Sequence, residues 1–222
     1  MILWVLLFVL IVAISFVLAL KSMVDFHEIP VSSGEDYGLF LIRRPHELTE
    51  ELLQSIHSNL LASSLIISFE RLIKGNKAAL VVYGPEKILT NYKHALELVE
   101  LEDYTNISKD QFALWEVAVK SVGKPDFPPI SADDQIWWQL ILSAKERNFF
   151  HPHIRLVVVS GDRQRRENLK IALQNLSPDK FIKLPKAFSD SQLLDFYKKR
   201  GFRKDIKNRN LNLTDVVGLL RV

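Results

Sequence analysis

The chain opens on a block with no polar alternation: MILWVLLFVLIVAISFVLAL, residues 1–20, has no charged side chain and Ser15 as its one polar residue. At about 1.5 Å per residue the run makes about 30 Å of helix, the thickness of a bilayer's hydrocarbon, and it predicts a transmembrane anchor over 1–21. A cleaved signal peptide would need a basic leader, a shorter apolar core and a small-residue cleavage site, whereas Met1 runs directly into apolar residues that end at Lys21. Past the anchor the pattern alternates. DFHEIPV (25–31) and FLIRRP (40–45) read as short extended pieces around the loop SSGEDYG. HELTEELLQSIHSNLLAS (46–63) has a helical stripe at Leu48, Leu52, Leu53, Ile56, Leu60 and Leu61. LIISFERLI (65–73) and AALVVYG (78–84) flank the turn-prone KGNK as a hairpin. PEKILTNYKHALEL then predicts a helix with Pro85 in its first turn, followed by a strand through Leu98, Val99, Leu101 and Tyr104.

That order, strand, helix, strand, strand, helix, strand over 22–108, predicts a ferredoxin-like module with two helices on one face of an antiparallel sheet. A second αβ module is expected over 109–222. Its strands are QFALWEVAVKSVG (111–123), DQIWWQLILSA (134–144) and HIRLVVVSG (153–161), with a Pro- and Asp-rich connector after the first. A helix capped by Asp162 follows, then SDSQLLDFYKKRG, starting at Ser189 or Asp190 and stopping at Gly201. The expected fold class is α+β: an N-terminal transmembrane helix followed by two ferredoxin-like αβ modules with antiparallel sheets.

Composition narrows the chemistry. A 48% hydrophobic share in 222 residues supports buried cores and excludes a disordered chain. With no cysteine there are no disulfides, thiolate zinc sites or cysteine nucleophiles. The net charge of +3 is uneven: residues 180–209 hold ten Lys/Arg against Asp190, Asp195 and Asp205, a local +7 that leaves −4 for the rest. Lysine and arginine alternate there with Phe181, Phe188, Phe196, Tyr197 and Phe202, a pattern that suits nucleic-acid phosphates and bases, an anionic lipid or acidic protein, or a solvated face. Lys198, Lys199, Arg200, Arg203 and Lys204 are the candidate anion or nucleic-acid contacts.

Other candidates are weaker. LVVYGPEKIL (80–89) resembles a phosphate loop only at Gly84 and Lys87; a second glycine and the hydroxyl are missing, and Pro85 removes a donor, so a strand-to-helix corner is expected. In SGDRQRR (160–166) the Asp162 carboxylate competes with any anion for the helix N-terminus. His151 and His153 flank a proline without a third ligand nearby, and His46 and His57 are too far apart along a helix to be read as a pair, so structural or solvent-facing histidines are expected. Glu100 to Asp103 reads as an exposed charged stretch. No catalytic constellation, metal, cofactor or small-molecule substrate is expected, and the chain reads as a non-enzyme.

The motif order carries a family resemblance. ISFERLIKGNKAALVVYGPEKILTNYKHALELVELEDYT, with LEDY at 101–104, then DDQIWWQLILSA, HIRLVVVSGDRQRRENLKIAL and LNLTDVVGLLRV, resembles the N-terminal, non-ATPase region of membrane-anchored relatives of VirB-type conjugation ATPases and HerA/FtsK-like translocases from bacteria of the candidate phyla radiation. The resemblance covers about residues 26–222 and stops at Arg221 and Val222, before any Walker motif, so the family's catalytic residues have no positions here. It implies a noncatalytic, membrane-tethered scaffold or adaptor for a type IV secretion- or conjugation-like translocation ATPase, with a P-loop ATPase or a second copy of the chain as protein partner. The alternative is a membrane-anchored nucleic-acid-binding protein using 180–209. Lys21, Arg43 and Arg44, all downstream of the apolar run, predict a single-pass protein of the cell membrane with a cytoplasmic body.

Overall fold

Runs rich in Val, Ile, Leu, Phe and Trp pair edge to edge because each buries its neighbour's backbone donors and acceptors along with its side chains. The computed structural model describes residues 36–221 except 109, 124, 176–178, 186–187, 204–205 and 207, together with 12, 14, 15, 28 and 29. In chain order its elements are β1 (Glu28–Ile29), β2 (Tyr37–Ile42), α1 (Glu50–Ser63), β3 (Ile66–Lys74), β4 (Lys77–Pro85), the short α2 (Glu86–Leu89), β5 (Leu98–Glu100), β6 (Phe112–Val119), β7 (Gln135–Lys145), β8 (Phe149–Val159), α3 (Arg163–Asn175), β9 (Phe181–Lys183), α4 (Asp190–Lys198), β10 (Phe202–Arg203) and α5 (Leu213–Leu220). Eight strands lie in the order β5-β2-β4-β3-β7-β8-β6-β9, each pair antiparallel, and β1 pairs with β10 as a separate ribbon.

The expected fold class, a transmembrane helix followed by two ferredoxin-like modules with a sheet each, is corrected on two counts. First, β3 and β7 pair continuously from Ile66 opposite Ser143 to Lys74 opposite Gln135, so strands from both sides of the 108/109 boundary form one sheet. Each of these strands would otherwise leave a long apolar edge open, which folded proteins avoid. Second, no helix among the described residues is long and apolar enough to cross a membrane. The longest, α1, has 14 residues, against the roughly 20 that a bilayer needs. The anchor over 1–21, the membrane partner and the single-pass cell-membrane location are corrected accordingly; apart from 12, 14 and 15, residues 1–21 lie outside the described residues.

Within each half the strands stand in the order fourth, first, third, second, reading β5-β2-β4-β3 and then β9-β6-β8-β7. Among the described residues the second half has no helix between its first two strands. Residues 120–134 run there instead, with Pro125, Pro128 and Pro129, and proline is a poor helix-interior residue.

The two faces of the sheet differ. On one, Ile67, Phe69, Leu80, Val82, Leu140, Leu142, Ile154 and Val158 make an apolar core with α1 and α5. α1 begins at Thr49, whose side chain accepts the Leu52 N–H. On its buried side, His57 Nε2 donates to the carbonyls of Lys145 (2.8 Å) and Phe149 (3.0 Å) and so holds the β7–β8 turn. The helix expected from Pro85 onward is shorter: α2 ends at Leu89, and a 3-10 turn, Thr90–Tyr92, follows. Thr90, Asn91 and Tyr92 favour helix weakly, and Tyr92 turns in to hydrogen-bond Ser55 (2.8 Å) and Asn59 (3.0 Å) on α1. Gly84 answers to packing, since a Cβ there would sit 3.2 Å from Ile67 Cγ1. The other face is covered by α4 and carries a stripe of buried polar residues.

Candidate functional site

Four strands each place one polar side chain on the α4 face at the same level. Glu70 on β3 lies opposite Gln139 on β7, Gln139 opposite Arg155 on β8, and Arg155 opposite Glu116 on β6. All four are buried. Because directly opposed side chains stand about 5 Å apart at Cβ, the row forms a continuous network. Gln139 Nε2 donates to Glu70 Oε1 (3.0 Å), Arg155 Nη1 to Gln139 Oε1 (3.3 Å), and Arg155 Nε to Glu116 Oε1 (3.3 Å). α4 lies over the row and lends it carbonyls: Phe196 O accepts from Arg155 Nη1 (3.1 Å) and Tyr197 O from Gln139 Nε2 (3.3 Å). These are among the last carbonyls of a helix, where positive charge is favoured.

Segment 200–203 completes the network. Arg200 Nε donates to Glu70 Oε1 (3.0 Å) and Nη1 to Asp103 Oδ2 (3.0 Å); Arg203 Nη1 donates to Glu116 Oε2 (2.6 Å). Tyr104 OH also donates to Glu70, and the Arg200 guanidinium lies 4.6 Å from the centroid of the Tyr83 ring. Three guanidiniums thus meet three carboxylates, Glu70 and Glu116 buried and Asp103 half exposed, so each of these buried ions has a counter-ion where an unpaired one would cost several kcal/mol. Burial would lower the pKa of Arg200, but Glu70 more than offsets it and the pKa is raised. Burial would likewise raise the Glu116 carboxyl, yet the His153 hydrogen bond and the neighbouring positive groups hold it down at about 2.

His153 is the neutral member. Its Nε2 lies 2.8 Å from Glu116 Oε1, while its Nδ1 faces the Arg203 N–H (3.4 Å) and Arg155 Nη2 (3.5 Å). Two donors facing Nδ1 place the imidazole proton on Nε2. Burial and Arg155 push the His153 pKa down to about 4, because a second proton would point at those donors.

The row ends at an opening. Among the described residues β9 pairs with β6 from Val117 to Val119, extended by Leu184 N to Glu116 O (3.0 Å) at one end and by Lys120 N and Ser121 N to Lys180 O (2.7 and 3.2 Å) at the other. On its other side β6 pairs with β8, where Gln111 O accepts from Ser160 N (2.9 Å). Antiparallel bonding alternates along a strand, so Phe112 and Leu114 turn their N–H and C=O groups away from β8. They face a slot of about 170 Å³ bounded by Glu167 and Lys170 of α3, Lys183 to Pro185, and Asp190 and Leu193 of α4. A separate hollow of about 430 Å³ lies between Pro45–Glu50 and the end of α5, away from the polar row.

The five basic candidates part company. Arg200 and Arg203 are buried and ion-paired, their guanidiniums turned to Glu70, Asp103 and Glu116. Lys198 is half-buried and Lys199 exposed, and Lys204 lies outside the described residues. Gly201 was expected to cap α4; the left-handed residue is Arg200, at φ 50°. Asp162 accepts the Arg165 N–H at 3.0 Å at the start of α3. His151 spends both ring nitrogens on Asn210 and the Ile206 carbonyl. The polar row went unread in the sequence, although each member interrupts an apolar run. No family model matches the chain, and searches of curated proteins and solved structures found no match either.

Proposed function

We propose that the protein is a noncatalytic docking module that receives an extended segment of a protein partner along the open edge of β6. The observation that carries this reading is the stretch Phe112–Trp115, which no described strand pairs on the side away from β8 and which α3 walls on one face and α4 on the other. Strand addition draws its affinity from main-chain hydrogen bonds and its selectivity from side-chain pockets. The rim offers both signs of charge, Lys170 and Lys183 beside Glu167 and Asp190, which favours a polar segment over a purely apolar one. The polar row supports a framework role, since Glu70, Glu116, Arg155 and Arg200 each hydrogen-bond other side chains of the fold.

The motif order favours a P-loop translocation ATPase as the partner, with a second copy of the chain as the other protein candidate. Lysine-reactive cross-linking in cells that make the protein natively tests this. Cross-links from Lys170 and Lys183 to such an ATPase are expected, lost in a Lys170→Glu/Lys183→Glu variant and kept in Lys87→Glu, an exposed site outside the slot. Cross-links that survive the double reversal, or that join no translocation component and no second copy, overturn the reading.

A further inference from the structure

Arg71 is buried and meets no carboxylate among the described residues. It stands on β3, 3% exposed, on the face packed by α5, and Nη2 donates to the carbonyls of Leu220 (3.3 Å) and Arg221. Nε makes no hydrogen bond. The other buried guanidiniums, Arg155, Arg200 and Arg203, each meet Glu116 or Glu70. Directly across on β7 and on the same face is Trp138, also buried, whose Nε1–H likewise has no partner among the described residues. Orphaned donors in an interior cost free energy unless an acceptor arrives. Of the two residues, Arg71 lies at the wall of a hollow, whereas Trp138 does not line it.

Arg71 borders a hollow of about 340 Å³ beside the β3–β4 turn. Part of its wall is apolar: Ile73, Phe127, Pro125, Pro128 and Pro129. The Phe127 ring centroid is 5.8 Å from the Arg71 guanidinium carbon. Two other charged groups line the hollow. Asp126 is engaged by Lys180 at 2.9 Å, and Lys77 is exposed at the rim.

We propose that this hollow binds a carboxylate carried on a flat apolar or aromatic body, the carboxylate held by Arg71 and Lys77 and the body lying against Phe127 and the prolines. A guanidinium fork suits a planar carboxylate. Such a ligand departs from the sequence expectation of no small-molecule partner. The site is lined by none of the residues of the β6 slot, and it stands whether or not that slot docks a protein.

The test is calorimetric titration of the full chain with benzoate and, separately, with inorganic phosphate at fixed ionic strength. Saturable benzoate binding with weaker phosphate binding is expected. Arg71→Met should weaken benzoate by about tenfold or more, the scale of a charge-assisted hydrogen bond. Lys77→Gln, at an exposed position, should weaken benzoate by about threefold without moving the melt. The inference is overturned if benzoate does not saturate, if phosphate binds as tightly, or if Arg71→Met binds like the native chain. Should Arg71→Met fail to fold, native-like benzoate binding by both Lys77→Gln and Phe127→Ala overturns it equally.

Discussion

At φ 50°, Arg200 holds a backbone conformation that a side chain with a Cβ adopts at a cost of roughly 1–2 kcal/mol. Its N–H bonds Tyr197 O (3.1 Å) while Gly201 N–H reaches back to Phe196 O (2.9 Å), the Schellman closure of a helix end. Glycine would fit this position, and the guanidinium explains why arginine occupies it: Glu70, with no exposure, needs a counter-ion. Arg200→Gly relieves the backbone yet strands a buried carboxylate, for a net loss of about 2–4 kcal/mol by urea unfolding. Arg200→Ala should lose about 1 kcal/mol more, since it keeps the strain as well. His153 sets the acid limit. Its folded pKa of about 4 lies below the ordinary 6.5, so the unfolded chain takes up the proton first and stability falls as pH drops from about 6.5 to about 4. Glu116, at about 2 against 4.5, adds a further loss below about pH 4.5. His153→Gln can keep a donor toward Glu116 and an acceptor toward Arg203, so urea midpoints across pH should lose the upper part of this slope and retain the lower.

Among the elements, α5 depends on its first turn. Asn212 accepts the Asp215 N–H at 2.7 Å and Asp215 returns a bond to the Asn212 N–H at 3.1 Å. Asn212→Ala should therefore cost about 1 kcal/mol in a denaturant melt. The α1 stripe and the β3–β4 hairpin were legible because their periodicity is local: Leu53, Ile56 and Leu60 recur at helical spacing, and two alternating strands flank a short turn whose Gly75 has a positive φ. The pairing of β3 with β7 left no local mark, since its partners lie about seventy residues apart and only register reveals them. The polar row was half-visible. Glu70 in ISFERLI, Glu116 in LWEVAV, Gln139 in WWQLILSA and Arg155 in HIRLVVV each break an apolar run, but a lone break also fits a solvent-facing strand position. The burial of Arg200 and Arg203 was hidden for a related reason: their neighbours Lys198 and Lys199 do face outward to differing degrees, and only the turn after α4 sends the two arginines inward.

Across the molecule, the β3–β7 seam ties the two halves into one sheet, with Phe69 opposite Leu140, both fully buried, near its middle. Three of the four tryptophans, Trp115, Trp137 and Trp138, lie in the second half, so their fluorescence reports mainly on that half, whereas far-UV circular dichroism reports on both. The two signals should trace a single coincident urea transition, as a shared core demands. Phe69→Ala should lower the midpoint by the equivalent of about 3–5 kcal/mol without separating the curves; two resolved steps would mean that the halves unfold independently. The apolar face of this sheet is closed by α5, whose Val216, Leu219 and Leu220 enter the core and whose terminal carbonyls hold Arg71. Those residues leave the ribosome after β1 to β10 have been made. A nascent chain arrested before residue 213 therefore carries β1 to β10 with α1 in place but the α5 part of the apolar face still bare, so closure of that face waits on α5 and chaperones have an opportunity just before it emerges.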